Sequence, residues 1–419
     1  MSLLSPTPRS AALTIRATVA SALLVAVACT DREAGESGLS KWITEPEYLF
    51  GDAPEGDVVL QRPLVRADPP RNRILVLDPP GSQVSEWTYR GSLGFVVGGR
   101  GEGPGEFVSP QDLFVEADGS FAVLEGGGSR FTYFTRDGVL EESSQGPGTR
   151  IGYQGFRIAV AWPRNGVHLG VPQIPLDIEV GLTADDPIQH QPLLSVHASE
   201  SGRSYHQPQP LVWLDRQNRV LVLQEKGGDR SFGAQPFGDP DQLRFEPGSA
   251  VIMRTKGTPG RVELIEVDTA GDTVWHRRLQ FDPRRLTTRM VEQRVNRFVD
   301  ATAADYDAIA SISKPEVRDM YYQGLYRPEY LPAADGPPVL AASGEVWIRT
   351  HEVSDTLRMH YAVRRGDASA EPRRVLLPEW MRVSDATATH VWGVWRNSMD
   401  VPHVVGPQVG SDGRARVIP

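Results

Sequence analysis

Residues 98–107 read Gly98-Gly99-Arg100-Gly101-Glu102-Gly103-Pro104-Gly105-Glu106-Phe107, followed by Pro110-Gln111-Asp112-Leu113 and then by Asp118-Gly119-Ser120-Phe121-Ala122-Val123-Leu124-Glu125. Glycines permit positive φ and close backbone approach, and Pro104 stiffens the turn between them. A phosphate-cradling loop is the rival reading of such a cluster. It fails on context, because no helix follows and Glu102 and Glu106 repel phosphate. The cluster is therefore a tight crossing from one β-unit to the next. The unit behind it continues as a hairpin, with Arg130-Phe131-Thr132-Tyr133-Phe134 turning at Arg136-Asp137-Gly138 into Val139-Leu140. A second copy of that hairpin runs from Glu263 to Val267, through Ala270-Gly271-Asp272, into Thr273-Val274-Trp275.

The same grammar extends in both directions. The chain holds 41 glycines and 34 prolines, scattered in turn clusters along its length. Between the clusters lie short β-branched and apolar runs at Ile74–Leu77, Phe121–Leu124, Val167–Val171, Val220–Leu223, Ala250–Met253 and Val346–Ile348. Turn pairs such as Asp118-Gly119, Asn165-Gly166 and Ser343-Gly344 precede most of them. A several-stranded unit returning roughly every 50 residues is the repeat expected of a β-propeller, whose blades bury their faces only against their neighbours. The interval from Val251 to Val346 is too long for one blade and predicts a helical insertion at about 284–325. Within it Val291, Val295, Phe298 and Val299 form one apolar stripe opposite Arg294 and Arg297, with Thr287 or Thr288 as cap. A second helix is predicted from Ser313-Lys314-Pro315 to Gly324, burying Val317, Met320 and Tyr321.

The segment Gly98–Phe107 with Pro110–Leu113 resembles the blade-joining signature of the bacterial six-bladed β-propeller proteins, relatives of the NHL-repeat family. Gly101, Gly103, Pro104, Gly105, Glu106 and Phe107 carry the motif. Downstream, Asp118–Val123, Arg130-Phe131 and Phe134 match the family's order of turn, inner strand, Arg and outer aromatic, although Glu125 and Ser129 stand where Asp and Asn are usual. Weaker echoes lie at Glu45-Pro46 with Phe50-Gly51, at Leu377–Trp380 and at Val391–Trp395. The resemblance covers about residues 41–405, strongly at 98–140, and poorly at 172–210. It implies an all-β fold, a six-bladed β-propeller spanning 41–419 with the small helical insertion inside it.

The front of the chain reads differently. Residues 1–28 carry Arg9 and Arg16, no acids, and then an apolar run from Ala17 to Ala28 that ends in small residues. That run is too short for the roughly 20 apolar residues needed to span a bilayer, so a cleaved signal peptide fits. Ala26-Val27-Ala28-Cys29 resembles the lipobox of bacterial lipoproteins, which makes Cys29, the only cysteine, the expected lipid anchor, with residues 29–40 as a tether. Thr30 stands where an Asp would signal inner-membrane retention, so outer-membrane sorting is expected. Removing residues 1–28 takes the formal charge from −9 to −11, a balance unsuited to nucleic acid.

No catalytic constellation stands out. His351-Glu352 lacks the second histidine of a metalloprotease helix and follows a strand. No G-x-S-x-G elbow occurs, and a lipidated Cys29 removes thiol catalysis. Asp78, Glu125 and Gln224 each follow a strand run. On that pattern they are either an axial polar or Ca²⁺ set or local hydrogen-bonders of the strand ends. Propeller lactonases of the gluconolactonase and senescence-marker type hold a catalytic metal in comparable surroundings. Trp347, Trp392 and Trp395 are either a carbohydrate or peptide groove or blade-interface filler. The leading expectation is a monomeric, lipid-anchored binding module for a protein, peptide or glycan, without a cofactor. The alternative is a Ca²⁺-assisted hydrolase, lactonase or lyase centred on the axis.

Overall fold

The computed structural model describes residues 39–41, 49–50, 60–146, 152–153, 156–161, 166–174, 190–199, 204–224, 230–310, 313–354, 356–396 and 400–406. Cys29, the signal segment and most of the tether lie outside them. Two short N-terminal strands, β1 (Leu39–Lys41) and β2 (Leu49–Phe50), precede the ring. Blade I is β3 (Leu64–Asp68), β4 (Arg73–Asp78), β5 (Gln83–Thr88) and β6 (Leu93–Gly98). Blade II is β7 (Pro110–Val115), β8 (Phe121–Glu125), β9 (Arg130–Phe134) and β10 (Leu140–Gln145). Blade III has five strands: β11 (Gly152–Tyr153), β12 (Phe156–Ala161), β13 (Val167–Gln173), β14 (His190–His197) and β15 (Gln209–Asp215). A separate hairpin follows, β16 (Val220–Gln224) with β17 (Arg230–Ala234). Blade IV is β18 (Gln242–Glu246), β19 (Ser249–Arg254), β20 (Arg261–Asp268) and β21 (Thr273–Gln280). Helices α1 (Thr288–Ala310) and α2 (Lys314–Gly324) come next. Blade V is β22 (Val339–Leu340), β23 (Glu345–Ser354), β24 (Leu357–Arg364) and β25 (Arg373–Pro378); blade VI is β26 (Arg382–Ala386), β27 (Val391–Arg396) and β28 (Pro402–Val405).

The chain's two ends close the ring. Strand β2 pairs antiparallel with β28, Leu49 opposite Val405, and supplies the fourth strand of blade VI. Strand β1 pairs parallel with β25 and extends blade V. Apart from β1, the strands of each blade pair antiparallel, and apolar residues on both faces make its stability depend on the seam with the next blade. Leu75, Leu77 and Val84 of blade I meet Phe107, Leu113, Phe121 and Phe134 at the first seam. Leu169, Leu193 and Leu214 meet Ala250, Ile252 and Val267 between blades III and IV. Val251 and Leu264 meet Val346 and Val363 between IV and V, and Trp347 meets Val391 and Val405 between V and VI. Trp392 seals the ring against Val65, Ile74 and Trp87 of blade I.

The glycine-rich crossing behaves as its composition predicts. Gly98 has φ +104°, and a Cβ there would lie 2.5 Å from the Phe107 ring. Phe107 N–H donates to the Gly99 carbonyl at 2.7 Å, and Glu106 accepts from Gly103 N–H at 2.9 Å. These bonds drive the fully buried Phe107 into the seam of blades I and II.

Both predicted helices form. Val291, Val295 and Val299 are buried on α1 and Val317 and Tyr321 on α2, with Phe298 stacked on Tyr321 at 3.9 Å. Thr287 caps α1 by accepting from Met290 N–H, and the Glu316 carboxylate accepts from Ser313 N–H at the start of α2. One strand run belongs elsewhere than its sequence suggests. Val220–Leu223 lies in the β16–β17 hairpin, and Leu221 and Leu223 pack on the helices instead of serving as a blade's second strand. The physical reason is partnership: the apolar face of the two helices needs a cover, and this hairpin with Phe237 supplies it.

Candidate functional site

The first strands of blades I, II, IV, V and VI line one axial cavity. Strand β3 adjoins β7 on one side and β26 on the other, and β22 adjoins β26 and β18. Between them runs a cavity of about 600 Å³, lined by residues of β3, β7, β18, β22 and β26, with Phe114 and Phe245 among its apolar walls. Four of its charged residues sit in the middle of first strands, Arg66 on β3, Asp112 on β7, Arg244 on β18 and Asp385 on β26; Arg62 ahead of β3 and Glu246 at the end of β18 line it as well. Strand alternation points these side chains to the axis while their neighbours enter the seams.

Three of the four are engaged by the fold. Arg66 donates to the Leu113 carbonyl at 3.0 Å, to the Val65 carbonyl at 3.2 Å and to Asp112 Oδ1 at 2.7 Å, and so ties blade I to blade II. Asp112 Oδ1 also accepts from Leu113 N–H. Asp385 accepts from Ala67 N–H of blade I at 2.7 Å, from Ala342 N–H of blade V at 2.8 Å and from Ala386 N–H at 2.6 Å. Burial pushes its carboxyl up to about 6, against the opposing pull of Arg66 and of those three N–H groups.

Arg244 differs. Its Nε donates to the Pro338 carbonyl at 3.1 Å, the step from blade IV to blade V. Among the described residues no carboxylate forms an ion pair with it. Enough protein surrounds it that burial lowers its pKa below the usual range, with Asp112 opposing and Arg66 reinforcing that shift. Its side chain stays open to the cavity. A guanidinium open to a cavity offers a planar fork of donors that can bind a carboxylate through two parallel hydrogen bonds.

The structure places the sequence-predicted residues as follows. Asp78 and Glu125 hold equivalent positions, the last residues of β4 and β8. Asp78 Oδ1 accepts from Gln61 and Arg62 N–H at 3.1 and 2.7 Å. Glu125 Oε1 accepts from Val108 and Ser109 N–H at 2.8 and 3.3 Å. Each carboxylate thus fastens the segment that leads into its own blade's first strand. Glu125 Oε2 also takes Arg130 at 2.5 Å. In blade I Gln83 stands opposite Asp78 where Arg130 stands opposite Glu125, and Asp78 Oδ2 is left buried without a partner. Gln224 ends β16 in the off-ring hairpin, so the fold does not bring it into register with the other two. None of the three lines the axial cavity. This set does not fit Ca²⁺: Gln224 stands in another sheet, one oxygen of each carboxylate is given to main-chain N–H groups, and the second oxygen of Glu125 is given to Arg130.

Trp347 and Trp392 are 1% and 0% exposed and fill blade seams. Trp395 is half-buried against the Trp380 ring at 6.2 Å. His351 lines a second cavity of about 390 Å³ between the helical insertion and blades IV and V. Burial lowers its pKa, with Asp335 opposing that shift. The axial residues had a sequence signal: Leu64-Val65-Arg66-Ala67-Asp68 and Gln242-Leu243-Arg244-Phe245-Glu246 share a charged residue mid-strand between apolar ones.

No protein-family model matches the chain, and no curated protein matches it significantly. Among solved structures, a Bacteroides fragilis protein described as exported aligns at 10% identity and TM-score 0.41, covering 91% of this chain and 99% of its own. A DUF4221-family protein from Bacteroides vulgatus aligns at 9% identity and TM-score 0.46, covering 87% and 97%. A gluconolactonase from Xanthomonas campestris aligns at 13% identity and TM-score 0.35, covering 83% and 87%. Likenesses at this level assign no activity. No helix among the described residues is long and apolar enough to cross a membrane.

Proposed function

We propose that this chain is an exported, lipid-anchored binding module of the bacterial cell envelope, with its ligand site in the axial cavity. Arg244 takes an anionic group of a protein, peptide or glycan ligand. The open guanidinium of Arg244 carries the reading: it stands mid-strand on the cavity wall, and beyond its bond to the Pro338 carbonyl its donors are unused among the described residues, whereas Arg66, Asp112 and Asp385 are engaged within the ring. A fixed cation beside apolar walls suits recognition and retention of a ligand, whereas general acid–base work calls for titrating groups matched to the reaction. Export and anchoring rest on the signal-like residues 1–28 and on Cys29.

Binding of peptides with a free C-terminal carboxylate, measured by calorimetry against the same peptides amidated, tests the site. Free-acid peptides are expected to bind at least tenfold more tightly, roughly the effect of one charge-assisted pair, and Arg244→Met is expected to abolish the difference. Equal binding of acid and amide by the wild type would remove Arg244 from the recognition role. Anchoring is checked separately by palmitate labelling: Cys29→Ser is expected to lose the label and to appear in the soluble fraction, and a labelled variant would refute it.

A further inference from the structure

Large aromatic side chains are ordinarily buried, and Trp213 on the edge strand β15 is an exception at 45% exposed. It lies in a cleft of about 220 Å³ where blade III meets blade IV, beside His190, Asp215, Asp241, Arg254, Lys256, Arg261 and Glu263. The polar groups around the indole are held in place by one another. Arg254 donates to Asp241 at 3.0 Å and to the Trp213 carbonyl at 2.9 Å. Lys256 donates to Asp215 at 2.7 Å and to Gln217 at 2.6 Å. Glu263 accepts from His276 and Arg278, which lie outside the cleft lining, at 2.8 and 2.9 Å.

Those pairings cancel the carboxylates of the cleft and leave one cation over. The Arg261 side chain makes no ion pair or hydrogen bond among the described residues. The cleft thus combines an open indole face, a rim of fixed donors and acceptors standing side by side, and one uncommitted guanidinium. Flat aromatic faces stack on the C–H face of a pyranose ring, alternating donors and acceptors suit vicinal hydroxyls, and a guanidinium takes a carboxylate through two bonds.

From this we infer that the seam of blades III and IV is a second, independent ligand site that binds one hexuronic acid residue of an acidic glycan. Trp213 stacks on the sugar ring and Arg261 holds its carboxylate. The site has no residue in common with the axial cavity.

Saturation-transfer NMR and calorimetry on the full-length protein, with glucuronate, galacturonate, methyl glucuronate ester and glucose as probes, test this. At least one uronate is expected to bind about tenfold more tightly than the ester or glucose. Trp213→Ala is expected to reduce uronate affinity at least tenfold while Trp213→Phe retains most of it, and Arg261→Met is expected to erase the preference for acid over ester. Arg244→Met is expected to leave all of these values unchanged, which separates this site from the axial one. Absence of binding by either uronate, equal binding of acid and neutral sugar by the wild type, or unaltered affinity in Trp213→Ala would overturn the assignment. Trp213 is a surface residue, so its variants are expected to melt with the wild type, and the wild-type comparison of acid, ester and glucose stands even if they do not.

Discussion

Replacing Asp385 by Asn should change how the stability of this propeller depends on pH. The carboxyl is wholly buried, bridges blades V, VI and I through three N–H groups, and ionises at about 6 in the folded protein. In an unfolded chain it ionises near the ordinary aspartate value of about 3.9. The difference of about 2 pH units corresponds to about 3 kcal/mol. The sign follows from where the proton sits. Below the unfolded value both states are protonated and the group contributes nothing to the balance. Between the two values the folded state keeps its proton while the unfolded state has lost it, so stability falls as pH rises. Above about 6 both are ionised, and the full burial penalty rests on the fold. Asn is neutral throughout and carries no such dependence. Urea unfolding of both proteins at pH 4, 5, 6 and 7.5 isolates the group, because the wild-type-minus-variant difference cancels every other carboxylate. The wild type is expected to lose about 2 kcal/mol relative to Asp385→Asn between pH 4 and 7.5, at no more than about 1.4 kcal/mol per pH unit, the rest of the effect lying below pH 4. Any fixed offset from the lost acceptor drops out of the comparison. Parallel curves, or a wild type that gains stability over this range, would refute the claim that burial outweighs the three N–H donors and Arg66.

Two further predictions concern the seams. Glu125→Ala leaves Val108 and Ser109 N–H and the Arg130 guanidinium without their acceptor, and a loss of about 3 kcal/mol is expected in urea unfolding. A wild-type stability unaltered by EDTA is the companion result, and a chelator-sensitive midpoint would restore the metal reading. Phe107→Ala empties a fully buried aromatic site between blades I and II, with an expected loss of about 3–5 kcal/mol; a loss under about 1 kcal/mol would mean that the glycine crossing does not anchor this seam.

Much of the ring was legible because its local chemistry agrees with its global plan. The crossing at Gly98–Phe107 needs positive φ at Gly98 and has room for no Cβ there, and glycine is what the chain supplies. The stripe Val291, Val295, Val299 and the start of α2 at Ser313-Lys314-Pro315 were equally clear, since helical period and capping chemistry are local. The run Val220–Leu223 was misplaced for a nonlocal reason. Periodicity shows that a strand has an apolar face but not which surface covers it, and here the cover is a helix pair almost 70 residues further on. Trp347 and Trp392 show the same gap. An indole in a strand reads alike whether it meets solvent or a neighbouring blade, and Trp213, exposed on the last strand of the long blade III, follows directly on the stretch 172–210 where the family resemblance is poor.

The axial residues were the least legible, and the reason bears on function. The first strand of a blade presents an edge with unpaired main-chain groups, which must find partners. In this ring charged side chains of adjacent first strands provide several of them: Arg66 for the carbonyls of Val65 and Leu113, Asp385 for the N–H groups of Ala67 and Ala342, Arg244 Nε for the Pro338 carbonyl. A charge in the middle of such a strand is therefore explained by the fold alone for as many hydrogen bonds as it makes to the ring. Arg66 and Asp385 are accounted for in this way, and Asp112 by Arg66. The accounting stops at Arg244, whose terminal amino groups face a cavity of about 600 Å³ and serve no strand. Those unused donors, open to the cavity, are what the proposed anionic ligand would engage.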